Sequence, residues 1–268
     1  MSLVFGNKKG VTLALIQDKK TLKTIDKIKL KDKIFEGKEH ISTKDNNLKI
    51  ENNKIIVDRK KYYVQPVLRQ VKQQNERLVV LGMSGSGKTM YTKKLLKNSD
   101  LDEDIFLFTR NDEDPSIDDL KNMNRIEITE QDILDAYHSG EQLIDIKTLK
   151  NSVCIFDDIE EASKLKTAYY ERLRDDVAKN GRKLNIDIVS IIHGTDYKKT
   201  RSVMSEATSY TFFLGGSDAM NKYVIKQYLG IEKKDYTDLK NKTKGSRWVT
   251  ISNTYPSILM CEFLVEIF

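Results

Sequence analysis

The stretch "VVLGMSGSGKTMYTKKLL", from Val79 to Leu96, determines how the rest of this sequence is interpreted. An apolar run ends at Gly82, four residues follow, and then come Gly87, Lys88 and Thr89. This is the full spacing of a phosphate-binding loop. Glycines in such a loop permit the backbone dihedrals that point N–H groups inward at phosphate oxygens, and they leave no side chain in the way.

The residue types in this loop predict a site for ATP and Mg²⁺. Lys88 offers a positive charge to the β- and γ-phosphates, and Thr89 offers a hydroxyl to Mg²⁺. The helix that starts near Gly87 adds its positive N-terminal end. The predicted nucleotide-binding positions are Gly82, Met83, Ser84, Gly85, Ser86, Gly87, Lys88, Thr89 and Met90.

The composition of the 268 residues predicts a soluble intracellular protein without a transmembrane segment. The most apolar stretch, "SILMCEFLVEIF", is interrupted by Glu262 and Glu266 and is too short to span a bilayer. Cys154 and Cys261 each lie inside an apolar run, so we expect them to be reduced and buried. The three histidines are far apart in sequence, and no stretch has metal-ligand spacing.

The net charge of +6 is unevenly distributed along the chain. Residues 1–75 contain 18 Lys/Arg and 8 Asp/Glu, which gives +10, whereas residues 76–268 contain 28 and 32, which gives −4. A basic excess of this kind is typical of a polyanion-binding surface, with nucleic acid as the first candidate. The alternative is a solvated, lysine-rich surface without a partner.

The pattern of apolar runs predicts an α/β fold in two parts. Residues 1–75 are interpreted as a small β-rich, basic N-terminal extension, in which "LKIENNKIIV" is typical of a hairpin that turns at residues 52–53. Residues 76–268 alternate short apolar runs with helical segments, which predicts a P-loop NTPase domain with a mainly parallel central sheet flanked by helices. The last two strands are expected to form an antiparallel edge. The predicted helices span roughly 87–98, 130–147, 159–179, 196–207 and 217–229.

A second carboxylate site follows the apolar strand in "NSVCIFDDIEE". Asp157 lies at the C-terminal tip of this strand, where ligands bind in parallel sheets, and with Thr89 it is the predicted holder of Mg²⁺. Asp158 comes next and is a candidate for activating the attacking water. Glu160 and Glu161 are interpreted as the acidic first turn of a helix, favoured by the helix dipole.

The stretch "YYERLRDDVAKNGRKLNIDIVSIIHG" supplies further candidates. His193 ends a strand and is placed to sense the γ-phosphate or its water, or else to bond to backbone. Arg182 precedes that strand, so it should lie at the opposite sheet edge and reach a neighbour's ATP in a ring as an arginine finger. Arg201 follows the strand and is a second candidate for that role, whereas Arg172 and Arg174 are interpreted as helix-surface charges.

The order of these motifs resembles the poxvirus-type genome-packaging ATPases of the FtsK/HerA division of P-loop NTPases. The resemblance covers roughly residues 76–268 and rests on "LGMSGSGKT", "FTRNDEDPSIDDL", "SVCIFDDIEE", "DDVAKNGRKLNIDIVSIIHG" and "TRSVMSEATSYTFFL".

The resemblance implies ATP-driven translocation of double-stranded DNA into a capsid by a ring of five or six subunits. It implies a location in the host cytoplasm or the virion, with a capsid or membrane protein of the virion as a further partner. It assigns Lys88 and Thr89 to nucleotide and Mg²⁺, Asp157 to the metal and Arg182 to the finger. His193 stands where that family often has glutamine, and Asp158 stands where it has glutamate.

Two other functions remain open from the residues alone. One is a monomeric P-loop phosphotransferase of the nucleotide-kinase type, which would need an arginine-bearing lid that the sequence does not display. The other is a non-catalytic, ATP-gated assembly factor, for which the shortened carboxylate at Asp158 is the best support.

Overall fold

The structure is a computed structural model that describes residues 2–5, 11–31, 48–51, 54–68, 75–99, 101–193, 197–215, 218–254 and 257–267. Its strands are β1 (Ser2–Phe5), β2 (Val11–Asp18), β3 (Thr24–Lys31), β4 (Leu48–Glu51), β5 (Lys54–Val57), β6 (Tyr62–Pro66), β7 (Arg77–Leu81), β8 (Asp104–Thr109), β9 (Met123–Ile126), β10 (Ser152–Asp157), β11 (Ile186–Ile192), β12 (Ser209–Phe213), β13 (Trp248–Ser252), β14 (Ile258–Cys261) and β15 (Leu264–Ile267). Its helices are α1 (Lys88–Ser99), α2 (Glu130–Ser139), α3 (Lys164–Asn180), α4 (Tyr197–Glu206), α5 (Asp218–Leu229) and α6 (Lys233–Lys242).

A large central sheet positions the residues of the candidate site. Within the described residues its strand order is β4-β5-β15-β14-β13-β12-β7-β11-β10-β8-β9. The six strands from β12 to β9 are all parallel, and β7 lies between β11 and β12. Strands buried on both faces need continuous apolar sequence, and every residue of β10 is buried. The predicted fold class, an α/β fold with a mainly parallel central sheet flanked by helices, is confirmed.

The other end of this sheet is antiparallel and extends further than the sequence pattern indicated. β13, β14 and β15 form the expected antiparallel continuation beyond β12. They are not the edge, however, because the antiparallel β4–β5 hairpin pairs with β15 and adds two more strands. The predicted turn of this hairpin, at 52–53, lies outside the described residues.

The remaining N-terminal strands form a separate four-stranded antiparallel sheet in the order β1-β3-β2-β6. Two backbone bonds tie β5 and β6 to the β14–β15 turn. Val57 N–H donates to the Phe263 carbonyl at 3.0 Å, and Val64 N–H donates to the Glu262 carbonyl at 2.7 Å. The division at residue 75 stays a prediction, although a hairpin from before it completes the main sheet.

Helix boundaries differ from the prediction where polar turn residues intervene. The helix expected over 130–147 ends at Ser139, because Gly140 takes a left-handed C-cap with φ 71°. The segment expected to be helical from 159 starts as a 3₁₀ turn, Ile159–Glu161, and α3 begins only at Lys164, after the Ser163 N-cap. The interpretation of Glu160 and Glu161 as a first α-helical turn was therefore wrong. Helix α6 and strand β9 were not predicted.

Burial confirms the expected state of the cysteines. Cys154 and Cys261 are free and buried, and burial raises the pKa of the Cys154 thiol to about 12 and that of the Cys261 thiol to about 11. Among the described residues, no helix is both long and apolar enough to cross a membrane.

Candidate active site

The loop between β7 and α1 needs glycine at several positions. Gly85 and Gly87 have φ values of 73° and 96°, in the left-handed region that side chains disfavour. Gly82 is required by space instead, because a Cβ there would lie 2.8 Å from the Cβ of Phe213. The loop is therefore shaped as a cradle of backbone, as the sequence spacing predicts.

Lys88 occupies the inside of this loop. Its ammonium donates to the carbonyls of Gly82 at 2.8 Å and Met83 at 2.7 Å, and the residue is only 3% exposed. Burial lowers the pKa of Lys88, while the nearby carboxylates of Asp157 and Asp158 raise it. A positive charge is thus held where the phosphates of a nucleotide would lie.

Thr89, in the first turn of α1, meets Asp157, at the end of β10. The Thr89 hydroxyl donates to Asp157 Oδ2 at 2.9 Å, across a sequence separation of 68 residues. Asp157 is buried, and its Oδ1 has no hydrogen-bond partner among the described residues. An unpartnered buried carboxylate oxygen beside a hydroxyl and an ammonium fits a Mg²⁺ ion with its water ligands, since Mg²⁺ prefers oxygen donors.

Asp158 and His193 form an ion pair next to Asp157. His193 Nε2 lies 2.7 Å from Asp158 Oδ1 and 3.7 Å from Asp157 Oδ1. Asp157 and Asp158 raise the pKa of His193 to about 9, and Asp158 is the nearer of the two. The hydrogen bond from His193 in turn holds the pKa of Asp158 below its usual value, against the effect of burial.

His193 also contacts the phosphate loop. Its Nδ1 lies 3.1 Å from Lys88 Nζ. Since its Nε2 lies 2.7 Å from Asp158 Oδ1, the histidine connects the loop lysine to the second carboxylate. Ligand atoms of Asp157, Asp158 and His193 lie within 4.8 Å of one another, although His193 is distant in the chain from the two aspartates.

Asp158 has two features that the sequence did not indicate. Its backbone lies in the left-handed region, with φ 53° and ψ 25°, which is costly for a residue with a side chain. Its Oδ2 accepts a hydrogen bond from Asn111 Nδ2 at 3.3 Å. Asn111 follows β8, so the parallel order β11-β10-β8 brings His193, Asp158 and Asn111 together at one sheet edge.

The two candidate finger arginines lie apart from this cluster. Arg182 is exposed in the 3₁₀ turn Gly181–Leu184, at the start of β11. The seven residues of β11 span about 23 Å at the usual strand rise, so Arg182 and His193 lie at opposite sheet edges, as predicted. Arg201 is exposed on α4. No hydrogen bond or ion pair within the described residues joins Arg182 or Arg201 to the phosphate loop.

Arg174 was wrongly interpreted as a surface charge, since it is 1% exposed. Its guanidinium donates to Glu160 Oε1 at 2.9 Å and to the Lys199 carbonyl at 3.1 Å. It therefore links the turn that follows Asp158 to α4. The sequence did contain a signal, because Arg174 lies four residues after Tyr170 and seven after Thr167, on the buried face of α3. Arg172 is exposed, as expected.

Comparison with known proteins places the chain in a family. It is 30% identical over 224 residues to the uncharacterized protein V3 of Sputnik virophage, covering 78% of this chain and 82% of that one. The chain belongs to the family of this virophage protein. No protein-family profile matches the sequence.

Solved structures with a similar fold share less sequence identity with this chain than the virophage protein does. The genome packaging NTPase B204 of Sulfolobus turreted icosahedral virus 2, in complex with AMP, is 12% identical over 70% of this chain and 96% of that chain, with a TM-score of 0.46. The pCW3 conjugation coupling protein TcpA is 10% identical over 97% of this chain and 77% of that chain, with a TM-score of 0.43. At these identities and TM-scores, neither likeness bears on the function of this protein.

Proposed function

We propose that this protein hydrolyses ATP and uses the energy to translocate double-stranded DNA, packaging a viral genome into its capsid. The observation that carries the ATPase part is the 2.9 Å bond between the Thr89 hydroxyl and the Asp157 carboxylate, beside the ammonium of Lys88. Lys88 and Thr89 begin α1 and Asp157 ends β10, and the parallel sheet brings all three to its carboxyl edge, where such sheets bind their ligands. ATP and Mg²⁺ are the ligands whose chemistry they fit.

Within such a site, each residue has a distinct part. Backbone N–H groups of the loop would cradle the phosphates, and Lys88 would exchange its loop carbonyls for phosphate oxygens. Thr89 and Asp157 would hold Mg²⁺, which when bound neutralises charge on the phosphates. These interactions position the nucleotide, and positioning with electrostatic stabilisation is most of what phosphoryl transfer requires.

Asp158 is proposed to orient the attacking water. It stays ionised, because the hydrogen bond from His193 keeps its pKa low, and an ionised carboxylate can accept a hydrogen bond from water. His193 and Asn111 hold the two Asp158 oxygens in place. Since His193 also contacts Lys88, it is placed to respond when a phosphate draws the ammonium away.

The motor part of the proposal rests on the resemblance of residues 76–268 to the FtsK/HerA packaging ATPases. It includes a homo-oligomeric ring of five or six subunits in which Arg182 completes a neighbour's site. The position of Arg182 supports action between subunits, because it is exposed at the sheet edge opposite its own nucleotide loop. A location in the host cytoplasm or virion, with a capsid or membrane protein as docking partner, belongs to the same proposal.

The deciding experiment measures phosphate release by a size-defined assembly, with and without duplex DNA. A DNA-stimulated rate in a ring-sized species is the expected result. ATP-dependent assembly without turnover would favour the gated assembly factor. The structural support for that alternative is that His193 and Asn111 already contact the two carboxylate oxygens of Asp158. A monomer that transfers phosphate to a small acceptor would instead identify a phosphotransferase.

A further inference from the structure

The nucleotide site leaves the basic excess of the N-terminal residues without a role, and the fold gathers part of that excess on one surface. The turn at 18–23 follows β2, and the turn at 58–61 joins β5 to β6. The two turns lie together, because Lys19 N–H donates to the Lys61 carbonyl at 2.8 Å. Six exposed cations, five on these turns and one on α1, define what we term the basic surface: Lys19, Lys20, Lys23, Arg59, Lys60 and Lys94.

A groove gives this surface its shape. Lys19, Arg59 and Lys94 line a groove of about 570 Å³ that separates the N-terminal sheet from α1 and the β14–β15 turn. Arg59 is fixed there, since its guanidinium stacks 3.2 Å from the centre of the Phe263 ring and donates to the Lys244 carbonyl at 2.9 Å. The groove therefore has cations from the N-terminal extension on one side and from the ATPase domain on the other.

The acidic groups around the groove are already engaged. Asp18 Oδ1 accepts from the backbone N–H groups of Lys20 and Thr21, and Asp58 Oδ1 accepts from Lys60 N–H at 2.9 Å. Glu262 pairs with Arg247, whose Nε lies 2.9 Å away. These three carboxylates keep their negative charges while they hold turns and one arginine in place, and the six cations of the basic surface outnumber them.

We propose that the basic surface binds the phosphate backbone of duplex DNA. This inference deepens the proposed motor function and rests on it, because it names where the translocated DNA touches the subunit. All six cations stand on turns at the ends of strands or on an exposed helix face, and the five lysines among them have long side chains that can follow a moving polyanion. Contacts from lysine to phosphate carry no sequence information, which suits a protein that must pass any sequence.

The side chains in the groove favour a duplex over a single strand. Single-strand binding needs exposed aromatic rings on which bases stack, whereas Tyr62 and Tyr63 are only half-exposed. The Tyr63 hydroxyl also donates to Gln17 Oε1 at 2.9 Å, which holds its ring in the sheet. A lipid surface would use Leu22, which is 65% exposed at the tip of the first turn, so anionic vesicles are a separate arm of the test.

The test compares two triple variants with the same net charge. The surface variant is Lys20→Gln, Lys23→Gln and Lys60→Gln. The control is Lys121→Gln, Lys147→Gln and Lys150→Gln, whose exposed lysines lie near β9 and β10, in the half of the main sheet opposite β5. Binding of a fluorescent 30-base-pair duplex to the full chain is measured by anisotropy over a series of salt concentrations, and thermal unfolding shows that both variants are folded.

The expected result is a loss of affinity and of salt dependence in the surface variant alone. Losing three phosphate contacts should reduce the slope of log Kobs against log salt by about 2.7, at about 0.9 for each contact. Equal affinities and slopes in the two variants would overturn the proposal. So would a surface variant that keeps duplex binding but loses binding to vesicles of 30% phosphatidylserine, since the surface would then serve a membrane.

Failure of this inference is distinguishable from failure of the proposed function. A wild-type protein that hydrolyses ATP faster with duplex DNA, together with surface and control variants that bind DNA equally, would contradict only the basic surface. A wild-type protein that binds duplex but shows no ATP hydrolysis with or without it would contradict the motor and leave the basic surface standing as a DNA-binding site.

Discussion

A single buried ammonium, that of Lys88, organises the candidate site. It contacts two loop carbonyls and His193, so it connects the phosphate loop to the end of β11, where His193 pairs with Asp158. Because these contacts cross between β7 and β11, one residue joins two elements that are 105 residues apart in the chain. Substitution of Lys88 should affect phosphate release more than folding of the sheet.

We predict that Lys88→Ala abolishes turnover. Removing the charge that would stabilise the phosphates in the transition state should reduce phosphate release by about 10²-fold or more. Lys97→Ala is the matched control, since Lys97 is exposed in the last turn of the same helix. Wild-type phosphate release by the Lys88 variant would show that the loop does not act on ATP.

At the scale of elements, α3 is tied to the site by Arg174. A charge that is 1% exposed would be costly without partners, and Arg174 has a carboxylate on the turn after Asp158 and a carbonyl on α4. The helix therefore fixes the position of the two segments that flank β10 and β11 at their functional ends.

We predict that Arg174→Ala destabilises the fold, whereas Arg172→Ala does not. Loss of one partner of a buried pair should lower the free energy of unfolding by on the order of 3 kcal/mol. Arg172 is exposed two residues earlier on the same helix, so its substitution should change stability by about 0.5 kcal/mol or less. Urea denaturation measures both, and equal midpoints would mean that Arg174 contributes nothing.

Asp187, near the start of β11 and opposite His193, is a carboxyl group in a buried environment. Burial raises the pKa of Asp187 from 3.8 to about 7, and the nearby Glu76 carboxylate adds to the rise. Glu76 N–H donates to Asp187 Oδ1 at 2.7 Å, which lowers the pKa in part. The folded state thus retains a proton that the unfolded chain releases.

We predict that stability falls as pH rises from about 4 to about 7, and that Asp187→Asn reduces this fall. Above pH 4 the unfolded state loses the proton of this carboxyl while the folded state keeps it, so each rise in pH favours unfolding until the folded group also ionises. Asparagine mimics the protonated acid and still accepts from Glu76 N–H. Urea midpoints at pH 5 and pH 8 measure the effect, with the exposed Asp238→Asn as control. An unchanged pH slope in the Asp187 variant would contradict the prediction.

For the whole molecule, the proposed ring makes the active site a property of two subunits. Arg182 is exposed and lies a strand length from its own His193, so it is available to a neighbour and not to its own loop. This position follows from the parallel sheet, because residues before and after a strand lie at opposite edges.

We predict that Arg182→Ala abolishes hydrolysis while ATP binding is kept, and that it acts in trans. Mixing Arg182→Ala with Asp157→Ala subunits should restore part of the phosphate release, because some interfaces then combine an intact loop with an intact arginine. The adjacent Lys183→Ala is the control, since it is also exposed. Normal hydrolysis by assembled Arg182→Ala protein, or no recovery at any mixing ratio, would refute the finger assignment.

The motifs that can be recognised in the sequence are formed by residues close together in the chain. The phosphate loop needs eight consecutive residues, Gly82 to Thr89, and the strand that ends in Asp157 needs an unbroken apolar run, so both are visible without knowledge of the fold. Arg174 was missed because a charged residue is normally exposed, and only its position on the buried face of α3 contradicted that expectation. Asn111 was missed because it lies in a polar loop with many similar residues.

The α/β class, the phosphate loop and the acid at the end of β10 are predictable from the sequence, because each depends on residues that are neighbours in the chain. The pairing of Thr89 with Asp157 was also predicted, whereas the contacts of Asp158 with His193 and Asn111 depend on how the strands are ordered. Parallel strands bring their carboxyl ends to one edge, which joined His193 and Asn111 to Asp158 and Thr89 to Asp157. The antiparallel pairing of β5 with β15 likewise joins the hairpin before residue 75 to the main sheet. Such contacts are set by strand order, which sequence periodicity does not encode.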